Sequence, residues 1–167
     1  TYAYALAGRQ ITETYSDGTT RITLRHKDGK TQSITGTAQI AQYYTYGVNE
    51  DGSQWTKVCQ AASDSPVWSK TTTDLLGRII KEERPGYAGT EITEYFYNSF
   101  GQLVKTTTTG QSDTLYVYDA LGNVIRQGLD INGNGSLDLA SMDRITESDT
   151  SHVQESSCWF LVTEQKV

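Results

Sequence analysis

Short runs in which apolar and polar residues alternate fill most of the chain, and many of them end at a glycine next to an acidic or amide residue. A period of two places successive side chains on opposite faces of an extended strand. Glycine, aspartate and asparagine are typical of tight turns. Helical periodicity is weak throughout. The pattern therefore predicts an all-β fold, an array of antiparallel β-hairpins.

Three ten-residue windows repeat one pattern of hydrophobic and polar positions. In each, Asp or Asn lies three residues before a glycine, a large apolar residue directly precedes that glycine, and one polar and two apolar residues follow it. The windows are Thr71–Ile80, Tyr95–Val104 and Tyr116–Ile125. Their glycines are 24 and 21 residues apart, the length of one hairpin with its return connection.

The residue types in these windows predict the local conformation. Aspartate and asparagine suit the first position of a type I turn, where their side chains accept backbone N–H bonds. Glycine suits the following left-handed position, which forms a bulge between the two strands. The turn residues are therefore Asp74 with Gly77, Asn98 with Gly101, and Asp119 with Gly122.

Looser copies precede these windows. Asp-Gly turn signals at Gly18, Gly29 and Gly52 separate runs rich in Thr, Tyr and Ile, and the step from Gly29 to Gly52 is 23 residues. We predict one continuous β unit with about 21–25 residues per repeat, in a curved or spiralling sheet. It comprises degenerate hairpins in 1–68, clear repeats in 69–128, and an acidic Asn/Gly loop with a final strand in 129–167.

The Tyr118-Asp119 pair and the form Tyr-x-Tyr-Asp-x-x-Gly-Asn-Val-Ile around it resemble the RHS/YD-repeat family. The resemblance is strong over 69–128 and departs from the family pattern in the first window, where Thr71 and Thr73 replace aromatic residues. It implies a segment of a secreted or cell-surface bacterial protein whose hairpins build a long sheet or shell. Toxin members of that family have a self-cleaving site with an Asp-Pro pair. Here the prolines follow Ser65 and Arg84, so the resemblance implies a scaffold without that site.

Composition narrows the choice of partners. The net charge is −6 and the chain has no cluster of Lys and Arg, which argues against nucleic acid. No run approaches the roughly 18 apolar residues of a transmembrane helix. His26 and His152 each lie in a polar run and are expected at the surface, and no acid/base pair or nucleophile set stands out, so we expect no enzymatic activity.

The strongest candidate for a ligand site is an acidic loop. Its oxygen-bearing residues follow the first part of a calcium-binding loop, with Gly135 at the sixth position. The candidate ligands are Asp130, Asn132, Asn134, Ser136 and Asp138. The twelfth position is Ser141 rather than a bidentate Glu, and Asp143 could substitute for it only in a different fold. A plain Asn/Gly turn is the alternative, and Asn134 also begins a formal glycosylation sequon.

Two further features allow more than one interpretation. Cys59 and Cys158 are 99 positions apart and are either a long-range disulfide or two unrelated thiols. The aromatic residues either pack against neighbouring strands or form a platform on which sugar rings stack. The candidate platform residues are Tyr43, Tyr44, Tyr46, Trp55, Tyr95 and Tyr97.

These features favour a non-enzymatic scaffold. A hairpin array with open strands at both ends pairs either with flanking repeats of a larger precursor or with copies of itself, and open contacts between copies make a filament. The pairing strands would contain Tyr2, Tyr4 and Leu6 at one end and Trp159, Phe160, Leu161 and Val162 at the other. A carbohydrate-binding module, with or without Ca²⁺, is the alternative.

Overall fold

The computed structural model describes residues 1–156 and 158–166; the side chains at 149–153, 155, 158–161 and 163 lie outside the description. Every regular element in the described residues is a β-strand. In chain order the strands are β1 (Tyr2–Ala5), β2 (Gln10–Thr14), β3 (Thr20–Arg25), β4 (Thr31–Thr35), β5 (Gln42–Val48), β6 (Gln54–Gln60), β7 (Trp68–Thr73), β8 (Ile79–Gly86), β9 (Gly89–Tyr97), β10 (Leu103–Thr108), β11 (Asp113–Tyr118), β12 (Val124–Asp130), β13 (Arg144–Glu155) and β14 (Cys158–Lys166).

The strand order in the sheet is the order along the chain, from β1 to β14. Adjacent strands are antiparallel and joined as hairpins, for example β5 with β6 and β11 with β12. The all-β hairpin array predicted from the alternating pattern is therefore confirmed. The described residues contain no helix long and apolar enough to cross a membrane.

The chain divides into two compact units, Thr1–Glu91 and Ile92–Val167. In the first unit only four residues are buried among those described, and none of them is aromatic: Ile34, Ser53, Cys59 and Thr72. In the second unit they are Leu115, Leu137 and the carboxylate residue Asp130. Because most strand residues in both units are only half-buried, stability depends on backbone pairing and cross-strand contacts more than on a thick core.

Four of the hairpins have a β-bulge shortly after the turn. The pairing register shifts within the return strand, so that one extra residue lies there in four hairpins. The extra residues are Gln32, Ile80, Val104 and Ile125, each three positions after the turn glycine. A bulge interrupts strict alternation between faces. This explains why two consecutive apolar residues follow the turn in the three clear windows.

Candidate functional site: the repeat turns, the acidic loop and the sheet edge

The turn between β7 and β8 is organised by one carboxylate. Asp74 Oδ1 accepts hydrogen bonds from the backbone N–H groups of Leu76 and Arg78, both at 2.9 Å. The Arg78 guanidinium binds Asp74 Oδ2 at 2.7 Å. Gly77 donates its N–H to the Asp74 carbonyl and has a φ of 80°. Few L-residues adopt that conformation without strain, so glycine is favoured there.

The two following turns repeat this arrangement. Asn98 accepts from the N–H groups of Phe100 and Gln102 at 3.0 Å, and Asp119 accepts from those of Leu121 and Asn123 at 2.9 and 2.8 Å. The Asn123 side chain and backbone, together with the Leu121 and Gly122 N–H groups, hold the pKa of Asp119 below its usual range. The turn has the same hydrogen bonds whether Asn or Asp occupies this position, so the side-chain oxygen acceptor, rather than its charge, shapes the turn.

The earlier turns place the carboxylate elsewhere. Asp17, Asp28 and Asp51 lie directly before the glycine and accept from the residue two positions later, at 2.9, 3.1 and 2.9 Å. The backbone hydrogen bonds of the turn are nevertheless the same, since Gly18, Gly29 and Gly52 each donate to the carbonyl three residues back. The same backbone turn is therefore supported by an Asp directly before the glycine or by an Asp or Asn three residues before it.

Tyrosine hydroxyls join neighbouring hairpins. Tyr118 donates to the Leu103 carbonyl and Tyr46 donates to the Thr31 carbonyl, both at 2.7 Å. Leu103 and Thr31 are each the first strand residue after the preceding turn. Burial raises the pKa of both tyrosines, with nearby Tyr116 and Tyr44 adding to it. In the second unit this contact gives the tyrosine of the Tyr-Asp pair a physical role, which is to attach one hairpin to the one before it.

The acidic loop between β12 and β13 closes around a buried carboxylate. Asp130 is 4% exposed, and its Oδ1 accepts from the N–H groups of Gly133 and Asn134 at 2.7 and 3.2 Å. Its Oδ2 accepts from Gly135 N–H at 2.7 Å. The Asn134 amide group donates to Asp138 Oδ2 at 2.6 Å. Three candidate calcium ligands are thus brought together and bonded to loop groups.

A second carboxylate enters the same loop from its far end. Asp143 accepts from Ile131 N–H at 2.9 Å and from Asp138 N–H at 3.0 Å. The Asp138 backbone bond is the largest contribution that lowers the pKa of Asp143. Ser141, at the twelfth position of the calcium pattern, donates its hydroxyl to the Asp138 carbonyl at 2.9 Å. Two carboxylates, one at each end, therefore hold the loop closed.

A leucine anchors the loop beside the sheet. Leu137 is 8% exposed, whereas Leu139, two residues later, is 65% exposed. An open groove of about 610 Å³ is lined by Leu137 together with Phe96, Lys105, Leu115 and Val117. Lys105 Nζ lies 4.8 Å from the Phe96 ring centroid and 3.2 Å from Asp113 Oδ2. The groove is therefore largely apolar, and its one lysine is already ion-paired.

The described residues contain no group of three or more His, Cys, Asp or Glu side chains that could hold a metal ion. Asn132 and Ser136 complete the predicted ligand set but are solvent-exposed. Asn132 Oδ1 accepts from Asn134 N–H at 2.9 Å, and Ser136 donates its N–H to Asn134 Oδ1 at 2.9 Å. Calcium binding stays a prediction, and Asp130, Asn132, Asn134 and Asp138 each accept a hydrogen bond from within the loop.

The candidate sugar-stacking residues are engaged with neighbours. The Trp55 indole lies against Gly47, where a Cβ would overlap the ring, and Lys70 Nζ is 5.1 Å from the ring centroid. Lys30 Nζ lies 5.0 Å from the Tyr46 ring centroid. Tyr44 donates its hydroxyl to Gln42 at 2.8 Å. The remaining candidates, Tyr43, Tyr95 and Tyr97, are half-buried in their strands. The Trp55 contacts with Gly47 and Lys70 join neighbouring strands, as cross-strand packing requires.

The edge strand β1 presents free backbone groups. Thr14 donates its N–H to the Thr1 carbonyl at 2.8 Å, which fixes which residues of β1 bond to β2. Hydrogen-bonded pairs alternate along an antiparallel ladder, so the N–H and C=O groups of Tyr2 and Tyr4 point away from β2. Their side chains are 65% and 69% exposed, and Leu6 is 53% exposed. Residues 1–8 contain neither a charged side chain nor proline.

The opposite edge and the cysteines are described only in part. Strand β14 pairs with β13 along its whole length, and Val162 is 37% exposed. The side chains of Trp159, Phe160, Leu161 and Cys158 lie outside the described residues. Cys59 is buried in β6. Because the Cys158 side chain is not described, a Cys59–Cys158 disulfide stays a prediction.

No family model matches the chain, and no curated protein matches it. The resemblance to RHS/YD repeats consequently rests on the Tyr-Asp and turn-glycine pattern alone. Its physical counterparts here are the Asx-capped turn, the tyrosine hydroxyl bond and the bulged return strand.

Proposed function

We propose that this chain is a non-enzymatic β-repeat scaffold of a secreted or cell-surface protein that extends by strand pairing at its edges. The observation that carries the proposal is the β1 edge, where Tyr2 and Tyr4 point their backbone groups outward from an uncharged strand. Protein edges that must stay unpaired are commonly blocked by lysine, proline or a covering element. Residues 1–8 include no lysine or proline.

The partner is a strand of the same kind, supplied by a second copy or by a flanking repeat of a larger precursor. Added strands gain affinity from main-chain hydrogen bonds and specificity from alternate side chains. The Tyr2 and Tyr4 rings would supply that specificity, because both lie on one face of the strand. If the partner is a second copy, head-to-tail pairing leaves another edge open and produces a filament.

Concentration-dependent light scattering with electron microscopy tests this proposal. Tyr4→Pro removes one outward N–H while leaving the bonds to β2 in place, so we expect it to abolish assembly. Tyr4→Thr, which keeps the N–H and favours strands, is the matched control and should still assemble, though more weakly. A monodisperse monomer at all concentrations would contradict self-assembly.

Glycan binding by the aromatic residues is the competing function. A sugar platform needs open ring faces, whereas Lys70 lies over Trp55 and Lys57 lies 4.7 Å from the Trp68 ring centroid. The scaffold proposal therefore predicts no glycan-array signal that is lost in Trp55→Ala. A signal that this substitution removes would favour the carbohydrate-binding function instead.

A further inference from the structure

The acidic loop contains the two asparagines of this chain that are followed by glycine, the sequence in which an asparagine side chain deamidates most readily. The five asparagines are Asn49, Asn98, Asn123, Asn132 and Asn134, and only the last two precede glycine. Glycine has no Cβ to hinder approach of its backbone nitrogen to the preceding side chain. Asn132 and Asn134 are also solvent-exposed, so water reaches both amides.

Both glycine nitrogens that could attack these amides bond to one carboxylate. Gly133 N–H donates to Asp130 Oδ1 and Gly135 N–H donates to Asp130 Oδ2, each at 2.7 Å. Asp130 is 4% exposed and therefore shielded from competing water. The side-chain oxygens of Asn132 and Asn134 accept N–H bonds from residues two positions later, which holds each amide in an Asx turn.

We propose that the buried Asp130 carboxylate suppresses deamidation at Asn132 and Asn134, and that opening of this loop makes them the preferred deamidation sites of the chain. In deamidation the glycine nitrogen loses its proton and bonds to the asparagine side-chain carbon, and ammonia leaves. The resulting succinimide adds water and opens to aspartate or isoaspartate. The net change is the gain of water and the loss of ammonia, with no oxidation or reduction.

The carboxylate opposes the first step in two ways. A charge-assisted N–H···O⁻ bond stabilises the protonated nitrogen and is lost when the proton leaves. The anionic nitrogen that would form also lies beside the buried Asp130 carboxylate, whose negative charge repels it. The same carboxylate acts on Gly133 and Gly135, so one residue protects two sites.

Site-resolved deamidation rates of the full chain test the proposal. Peptide mapping by mass spectrometry would follow Asn132 and Asn134 at neutral pH in the unsubstituted chain, in Asp130→Asn, and in the chain unfolded by urea. We expect Asp130→Asn to deamidate at both sites about tenfold faster or more, since bonds to a charged group are lost. In urea, deamidation of the unsubstituted chain should accelerate by at least as much.

Asp143→Asn is the matched control, because Asp143 also closes the loop but bonds to Ile131 and Asp138 rather than to either glycine. It should accelerate deamidation far less than Asp130→Asn. Equal acceleration by both variants would overturn a specific role for Asp130. A rate in Asp130→Asn no faster than in the unsubstituted chain would do the same. If Asp130→Asn does not fold, equal rates in native buffer and in urea for the unsubstituted chain would overturn the proposal.

Discussion

At the scale of single residues, the repeat reduces to a few atoms with defined tasks. An Asp or Asn side-chain oxygen accepts hydrogen bonds from two backbone N–H groups, and a glycine three residues later adopts a left-handed conformation. Asn98 performs the same task as Asp74 and Asp119 without carrying a charge. The chain thus contains its own comparison between an amide and a carboxylate at this position.

Replacing Gly77 tests the conformational requirement directly. A Cβ at Gly77 would have no heavy atom within 4 Å, so only its φ of 80° would oppose a side chain. We expect Gly77→Ala to lower the free energy of unfolding by about 1–2 kcal/mol. Gly77→Asn should cost less, because asparagine tolerates this conformation. Urea denaturation measures both, and equal stability of Gly77→Ala and the unsubstituted chain would contradict the account.

Asp119 should contribute a pH-dependent stability that Asn98 cannot. Its pKa is lower in the folded chain, so the contribution is present above the unfolded value of about 4 and is lost as pH falls through the folded pKa. Asp119→Asn should therefore be less stable than the unsubstituted chain at neutral pH, with the difference shrinking in acid. Urea unfolding across this range measures the difference, and a gap that stays constant with pH would refute the assignment.

At the scale of elements, the hairpin is the unit that the sequence predicts best. Three windows that share a turn glycine predict the β7–β8, β9–β10 and β11–β12 hairpins, because the alternating pattern and the turn chemistry agree there. The sequence pattern does not predict the extra residue at Ile80, Val104 and Ile125. Its signal is the pair of consecutive apolar residues after the turn, which by itself also fits a strand buried on both faces.

The acidic loop shows where sequence patterns stop being sufficient. Its oxygen spacing indicates that the side chains converge, but it does not distinguish a cation from backbone N–H donors at the centre. The burial of Leu137 but not of Leu139 depends on the loop's path beside the sheet, which no local pattern specifies. The sequence pattern indicates Asp143 only as a substitute ligand, whereas in the structure it accepts hydrogen bonds from two loop N–H groups.

The tyrosine contact between hairpins is testable by removing one oxygen. Tyr118→Phe leaves the Leu103 carbonyl without its 2.7 Å donor, and we expect a loss of about 1 kcal/mol in the free energy of unfolding. Tyr116→Phe, on the same face of β11, is the control and should cost less, because no Tyr116 hydroxyl bond is seen among the described residues. Equal losses in urea denaturation would show that the hydroxyl bond is not the relevant contact.

The two leucines of the acidic loop form a natural pair for testing its attachment. Leu137→Ala should destabilise the chain by about 2 kcal/mol, the lower end for a buried leucine, because the sheet face beside it stays partly open. Leu139→Ala should have little effect, since that side chain is mostly in solvent. Thermal unfolding followed by circular dichroism would measure both, and similar shifts for the two variants would contradict the anchoring role.

Calcium provides a separate test of the same loop. If the predicted ligands bind the ion, calorimetry should record binding and a higher melting temperature, because a ligand specific to the folded state stabilises it. Asp138→Asn should weaken that binding, whereas Asp17→Asn, at a turn outside the loop, should leave it unchanged. No binding heat and no shift in melting temperature would remove calcium from the account and leave the hydrogen bonds of Asp130 and Asp143 to hold the loop.

At the scale of the whole molecule, the order of strands leaves β1 and β14 as the terminal strands of the described sheet. Hairpin arrays gain stability from each neighbour, so unpaired terminal strands are the natural sites of extension. The proposed scaffold function therefore rests on the edges of the sheet more than on any cluster of side chains.

Hydrogen exchange at the Tyr2 and Tyr4 amides tests edge pairing most directly. At low protein concentration both amides should exchange rapidly, because their N–H groups point away from β2. At concentrations where assembly occurs, both should become protected, while the Ala3 amide, which faces β2, changes much less. Protection of Tyr2 and Tyr4 that rises with assembly is the predicted result; assembly without such protection would contradict the account.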